Sequence, residues 1–178
     1  AEVLNRLEVP LLGCLPRTEA LTLPSRHLGL APAHELPNRT ERFNHWAALA
    51  ERHLDMERLM PFLKAPNATE DPLHHCSTPL GPSLPVAVAS DEAFHFRYTE
   101  TGELLERMGM PMLPWSPLAD EPVPQDACGV MLPGGFPEQH AAQLASCHRS
   151  LSSLRVFASQ RPVYAECGGM LLLGQARS

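Results

Sequence analysis

The sequence predicts an α/β protein whose second half is a parallel, doubly wound sheet. Short apolar runs alternate with amphipathic segments between residues 85 and 173, and most of these runs end at proline, glycine or a small polar residue. A proline-rich stretch, residues 65–84, breaks every regular pattern and predicts a linker between two domains, 1–64 and 85–178. Sites in such sheets lie at the carboxyl ends of the strands.

The first half has a broken α/β pattern. Residues 2–4 are predicted as the end of a strand, and the apolar run 9–16, closed by a proline, as a second, buried strand. Residues 38–63 show helical periodicity, and Asp55 is predicted to cap a second short helix within them.

The second half has a clear strand–helix rhythm. The apolar runs predict four strands, at 85–89, 112–115, 129–132 and 162–165. The intervening segments predict helices at 101–108, 137–147 and 150–160, with another starting at residue 170.

Composition and charge exclude several classes of protein. Lys and Arg number 14 and Asp and Glu 20, so the net charge is −6, and without a basic run nucleic acid is not expected as a partner. No apolar run approaches the roughly 20 residues that span a bilayer. The five cysteines form no CxxC pair, so neither a zinc site nor a redox dithiol is predicted, and a cytoplasmic protein with reduced thiols is expected.

Cys167 stands in a context that predicts a nucleophile. It follows a predicted strand and precedes a helix, with small residues two positions before it (Ala165) and two after it (Gly169). A nucleophile elbow needs small residues there, because side chains would collide with the neighbouring backbone. The start of the helix favours a thiolate, and the Gly168 N–H is placed to donate to an oxyanion.

A second oxyanion donor is predicted at the end of another strand. Gly134 and Gly135 follow the strand 129–132, and a glycine pair lets the backbone turn an N–H toward a ligand. A buried cysteine beside such a turn is also compatible with simple packing. The elbow spacing together with the second glycine turn favours the nucleophile.

Several motifs together resemble the cobyrinate a,c-diamide synthase family. Residues 133–144 read PGGFPEQHAAQL, 164–170 read YAECGGM and 91–98 read DEAFHFRY, as in its class I glutamine amidotransferase domain. Upstream, VLNR at 3–6, LGCLPR at 12–17 and LPSRHLGL at 23–30 resemble the end of its ATP-dependent synthetase domain.

This resemblance implies a flavodoxin-like amidotransferase sheet, preceded by the end of a dethiobiotin-synthetase-like P-loop α/β domain. It implies a carbon–nitrogen ligase of cobalamin biosynthesis that hydrolyses glutamine through a thioester on a cysteine. ATP and Mg²⁺ activate the a and c carboxylates of cobyrinic acid as acyl phosphates, which ammonia then attacks. The implied partners are L-glutamine and this corrinoid, without nucleic acid or membrane, and a homodimer is compatible with the resemblance.

The resemblance also assigns residues outside the elbow. Asn5, Leu15 and Pro16 match positions that border the adenine of ATP, while His27, Phe94 and Phe96 are assigned to substrate binding. For Asn5 and Pro16 the alternative is that each merely ends a strand, and for His27 it is a solvated loop.

The chain lacks two parts that this family needs. It has no G-x-x-x-x-G-K-[ST] phosphate loop, and its last histidine, His148, precedes the cysteine. We therefore expect an internal fragment, cut at both ends and inactive on its own, with its magnesium ligands upstream and its catalytic histidine downstream. His95 and His140 are weaker candidates for that histidine, and either is compatible with a structural role.

Three other functions stay open at this stage. One is a related amidotransferase acting on another tetrapyrrole or making cobyric acid. Another is a non-catalytic, flavodoxin-like binding domain, and the third is a cysteine hydrolase of the same architecture.

Overall fold

The computed structural model describes residues 2–7, 9–24, 29, 33–65 and 81–174. The chain divides into two compact units, residues 1–69 and 70–178. Within the described ranges, no helix is long and apolar enough to cross a membrane.

The described part of the first unit is built from helices and short turns. Its α-helices are α1 (Glu2–Arg6), α2 (Arg39–His53) and α3 (Met56–Leu59), and its 3-10 helices are Glu19–Leu21, Ala33–Glu35 and Met60–Leu63. The predicted cap of α3 is confirmed, since the Asp55 carboxylate accepts a hydrogen bond from the Arg58 N–H at 3.1 Å.

The prediction of two strands in the first unit was wrong. Residues 2–6 form α1, and within 9–16 there is a single isolated bridge, which joins Gly13 to Leu54. A strand needs neighbours for its backbone hydrogen bonds and a face to bury. Val9 and Leu15 are exposed instead, so the apolar run has no buried face and stays irregular.

The second unit contains a four-stranded parallel sheet, which confirms the predicted fold class. The strands are β1 (Val86–Ala89), β2 (Met112–Trp115), β3 (Gly129–Leu132) and β4 (Val163–Ala165), in the order β2-β1-β3-β4. All four residues of β1 are buried, as expected for a strand between two others in a covered sheet.

In the described part of this unit, four α-helices accompany the sheet: α4 (Thr99–Arg107), α5 (Ala141–Ser146), α6 (His148–Ala158) and α7 (Gly168–Leu173). The single helix predicted at 137–147 divides into a 3-10 turn, Pro137–His140, followed by α5. Short 3-10 turns of this kind are common where α-helices begin.

The main hydrophobic cluster lies on one face of this sheet. Alternate residues of the strands point into it and meet apolar side chains from the loops and helices. The buried members include Ala87, Ala89, Val130, Leu132, Phe94, Trp115, Leu144 and Leu154. This packing fixes which strand ends adjoin one another, and the candidate site lies at those ends.

Candidate active site

Three neighbouring strands, β1, β3 and β4, end at the same edge of the sheet. The register pairs Val88 with Met131 and Leu132 with Ala165, so the segments that follow these strands adjoin one another. As the parallel topology predicts, the candidate functional residues lie together at this edge.

Cys167 occupies a sharp turn between β4 and α7. Its φ is 47° and its ψ −120°, a combination that non-glycine residues rarely adopt and that typically costs about 1–3 kcal/mol. Its side chain is exposed. The Gly169 N–H donates to the Glu166 carbonyl at 2.8 Å, which closes the turn. The strained turn and the exposed thiol are the geometry predicted for a nucleophile elbow.

The two glycines after Cys167 are required by close packing. A Cβ on Gly168 would lie 2.6 Å from the Gly135 carbonyl oxygen, and one on Gly169 would lie 2.1 Å from that of Leu132. Both separations are shorter than side chains tolerate. Helix α7 therefore begins in direct backbone contact with β3 and with the glycine turn that follows it.

The predicted glycine turn lies against the elbow. A Cβ on Gly134 would be 3.5 Å from the Cys167 Cβ, which places this glycine beside the nucleophile. Gly135 has a φ of 156°, and a Cβ there would lie 2.0 Å from the Ala93 carbonyl oxygen. The structure thus brings the predicted oxyanion residues together with Cys167, while the donor role of their N–H groups stays a prediction.

The segment after β1 completes the edge. The Phe96 N–H donates to the Gly134 carbonyl at 3.0 Å, so this segment is tied to the glycine turn. The Asp91 carboxylate holds the segment from its other end, because it accepts hydrogen bonds from the Ala93 N–H at 3.0 Å and the Leu118 N–H at 2.9 Å. The segment after β1 is therefore joined to the loop after β3 by a backbone hydrogen bond and to the segment after β2 by the Asp91 carboxylate.

An open cleft of about 460 Å³ surrounds the thiol. It is lined by Phe96, Arg97, Tyr98, Gly134, Glu166 and Cys167. This volume is within the usual range of small-molecule sites. Our interpretation of the sequence gave no role to Arg97 or Glu166, although both lie within the quoted motifs, directly beside Phe96 and Cys167.

A hydrogen bond orients the carboxylate next to the nucleophile. The Tyr164 hydroxyl donates to Glu166 Oε2 at 3.0 Å. This hydrogen bond, and the negative charge of the carboxylate, raise the pKa of Tyr164 above its ordinary value. The phenol therefore stays protonated and remains a donor throughout the neutral pH range.

The two phenylalanines assigned to substrate binding have different positions. Phe96 is 41% exposed and lines the cleft. Phe94 is fully buried in the core, so its side chain presents no surface that a substrate could contact. In this structure Phe94 supports the segment that carries Phe96, since its N–H donates to the Asp91 carbonyl at 3.2 Å.

The sequence of the chain matches known proteins. Residues 85–177, which hold the sheet and the cleft, match the family model of the CobB/CobQ-like glutamine amidotransferase domain. The chain belongs to this family. The resemblance seen in the sequence is thereby confirmed for its second half.

Curated relatives of this amidotransferase domain extend the match to the first half. The chain is 39% identical over 175 residues to the cobyrinate a,c-diamide synthase of Synechocystis sp., covering 97% of the chain and 36% of the relative. It is 38% identical over 177 residues to that of Synechococcus sp., covering 98% and 39%. The hydrogenobyrinate a,c-diamide synthase of Mesorhizobium japonicum is 35% identical over 180 residues, covering 98% and 39%.

The chain thus spans less than two fifths of the length of these three relatives. No solved structure matches it significantly.

The two candidate histidines of the second unit, His95 and His140, do not line the cleft around Cys167. His95 Nδ1 lies 2.9 Å from the Glu92 carbonyl oxygen, and its ring packs edge-on against Phe96, with centroids 4.5 Å apart. His140 ends the 3-10 turn after the glycine pair. Neither lines the cleft around Cys167, so neither is placed as its general base.

The residues assigned to ATP lie in the first unit. Asn5 belongs to α1 rather than following a strand, and Leu15 and Pro16 lie in exposed, irregular chain. His27 is outside the described residues. Within those residues, no three His, Cys, Asp or Glu side chains are grouped to hold a metal ion.

Proposed function

We propose that this chain is part of an enzyme that moves the amide nitrogen of glutamine to the a and c carboxylates of cobyrinic acid in cobalamin biosynthesis. The enzyme is a carbon–nitrogen ligase with glutamine as nitrogen donor. The observation that carries the proposal is the strained elbow at Cys167, which opens into a cleft beside the Gly134-Gly135 turn. The names of the curated relatives supply the corrinoid substrate.

The chemistry at the elbow follows from its parts. The Cys167 thiolate attacks the side-chain carbonyl carbon of glutamine, and the carbonyl oxygen becomes an oxyanion. The N–H groups of Gly168 and of the glycine turn are proposed to stabilise this oxyanion. When the C–N bond breaks, the amide nitrogen takes up one proton and leaves as ammonia, and a thioester remains. Water then hydrolyses the thioester to glutamate and regenerates the thiol.

The general base for these proton transfers is proposed to be a histidine outside the described residues. ATP and Mg²⁺ are likewise proposed to bind mainly through residues beyond this chain. ATP would supply the phosphoryl group that turns an inert carboxylate into an electrophile. The ammonia released at Cys167 would then be the nucleophile for that activated carboxylate.

The test uses the complete protein, with glutamine and ammonium chloride as alternative nitrogen donors. We expect Cys167→Ala to lower glutamine-dependent diamide formation roughly a thousandfold or more, and to leave ammonium-dependent formation unchanged. Cys14→Ser, which alters another exposed thiol, is the matched control. Glutamine-dependent synthesis that survives in Cys167→Ala would refute the nucleophile assignment.

A chloroketone analogue of glutamine gives an independent measurement. It should alkylate Cys167 selectively, and peptide mapping by mass spectrometry would locate the adduct. Equal labelling of Cys14 and Cys167 would instead indicate ordinary surface thiols and a non-catalytic domain.

Hydrogenobyrinate is the second candidate substrate, because relatives bearing that name are 35–39% identical to the chain. Competition between cobyrinate and hydrogenobyrinate in one reaction, with both diamides quantified, would decide between them.

A further inference from the structure

The cleft around Cys167 contains one positive and one negative side chain. These are Arg97, from the segment after β1, and Glu166, from the end of β4. Both also line an adjoining cavity of about 270 Å³, so they form the boundary between the two spaces. Among the described residues, the Arg97 guanidinium has no hydrogen-bonding or ion-pairing side chain as a partner. Its charge is available to a ligand.

Both groups are anchored close to the nucleophile. Arg97 directly follows Phe96, whose N–H is bonded to the carbonyl of Gly134 beside Cys167. Glu166 directly precedes Cys167, and its carboxylate is oriented by the Tyr164 hydroxyl. The two charges therefore flank the thiol on segments that backbone hydrogen bonds hold in place.

Glutamine has a matching distribution of charge. Its amide must lie at the thiol, while the other end of the molecule carries an α-carboxylate and an α-ammonium group. A guanidinium binds a carboxylate through two parallel N–H donors, and a carboxylate accepts hydrogen bonds from an ammonium group. A cleft with one such group of each sign complements this zwitterion.

We propose that Arg97 binds the α-carboxylate of glutamine and that Glu166 binds its α-ammonium group. This assignment rests on the proposed glutaminase function of the same cleft. It makes the two residues the determinants that select a free amino acid over a simple amide. Neither takes part in the thioester chemistry.

The test is a comparison of substrates in the complete protein. γ-Aminobutyramide lacks the α-carboxylate of glutamine, and glutaramate lacks its α-ammonium group. We expect Arg97→Gln to lower kcat/KM for glutamine roughly 10- to 100-fold, the range for a hydrogen bond to a charged group, and to leave kcat/KM for γ-aminobutyramide unchanged. Glu166→Gln should likewise lower kcat/KM for glutamine and leave kcat/KM for glutaramate unchanged.

Matched controls are available on the helices. Arg149→Gln on α6 and Glu103→Gln on α4 remove the same charges from exposed positions that do not line the cleft. Neither should change the preference between glutamine and the two analogues. An equal loss of kcat/KM with glutamine and with the matching analogue would overturn the assignment, because it would indicate a general disturbance of the elbow.

A binding measurement separates this assignment from the proposed function. In a Cys167→Ala background, calorimetry should show that Arg97→Gln weakens glutamine binding by the same 10- to 100-fold. Unchanged binding would refute the Arg97 assignment even if the wild-type enzyme uses glutamine. Absence of glutamine-dependent synthesis in the wild type would instead refute the proposed function.

Discussion

Gly169→Ala tests whether the contact between α7 and β3 positions the nucleophile. A Cβ at this position would lie 2.1 Å from the Leu132 carbonyl oxygen, whereas ordinary contact begins at 3.4 Å. The helix would therefore have to withdraw by about 1.3 Å. The Leu132 carbonyl cannot yield easily, because it also accepts the Glu166 N–H at 3.1 Å.

This displacement has two measurable consequences. Overpacking of this kind typically costs about 1–3 kcal/mol, so the thermal unfolding midpoint of this unit should fall by several degrees. A misplacement of about 1 Å at a catalytic group can cost roughly 100-fold in rate. We therefore expect kcat/KM for glutamine to fall by about that factor in the complete protein. Ammonium-dependent synthesis should be affected far less.

Gly174→Ala is the matched control for this substitution. Gly174 ends α7, and the nearest atom to a Cβ there, the Leu171 carbonyl oxygen, is 3.4 Å away. The control should change stability by less than about 0.5 kcal/mol. If Gly169→Ala kept the parent's midpoint and its kcat/KM for glutamine, the claim that this contact positions Cys167 would be refuted.

Three further results are expected. Phe94→Ala should destabilise the second unit by about 3–5 kcal/mol in denaturant unfolding, because the ring is fully buried. Asp91→Ala should cost about 2–4 kcal/mol in the same measurement, since it leaves the Leu118 N–H and its other donors without an acceptor. Spectroscopic titration should give Tyr164 an ionisation midpoint above 10.0, and Glu166→Gln should lower it.

The results for Asp91 and Tyr164 each have a control. Asp126→Ala removes an exposed carboxylate and should be nearly neutral beside Asp91→Ala. For Tyr164, a raised folded-state pKa means that the protonated phenol favours the folded state. The resulting contribution to folding stability is fully present below the pKa of Tyr164 in the unfolded chain. It is lost as the pH rises through the pKa of Tyr164 in the folded protein. If Glu166→Gln left the ionisation midpoint of Tyr164 unchanged, the hydrogen bond between the two side chains would not form in solution.

The second unit was predictable because its sequence signals are local and agree with one another. Strands β2 and β3 have the predicted bounds, and the other two strands differ by one residue at their first position. Apolar runs that end at proline or glycine produce buried parallel strands whenever neighbouring runs supply the hydrogen-bonding partners. Here four such runs follow one another in the same unit.

The first unit was not predictable by the same reasoning. The apolar run 9–16 has the composition of a strand but lacks a paired neighbour, and residues 2–6 prefer a helix. Local composition cannot reveal whether a partner strand is present. The same limit applies to Phe94, because the motif places it near the site while three-dimensional packing decides that it faces the core.

Arg97 and Glu166 show a different limit. The quoted motifs contained both, but no spacing rule connects a residue that follows β1 with one that follows β4. They share a cleft because β3 lies between those two strands, a fact of strand order rather than of sequence separation. Charge complementarity to an amino acid becomes visible once that order is known.

The alternation of buried and exposed side chains along β4 builds the core, and it also fixes the position of the nucleophile. Val163 and Ala165 pack against the buried cluster, while Tyr164 between them is 57% exposed. A slip of β4 by one residue against β3 would turn Tyr164 into the core and both small apolar side chains out of it. It would also carry Cys167, two residues beyond the strand, away from the glycine turn. Selection for a packed core at this strand therefore maintains the register that keeps the thiol beside Gly134, so core and site cannot vary independently here.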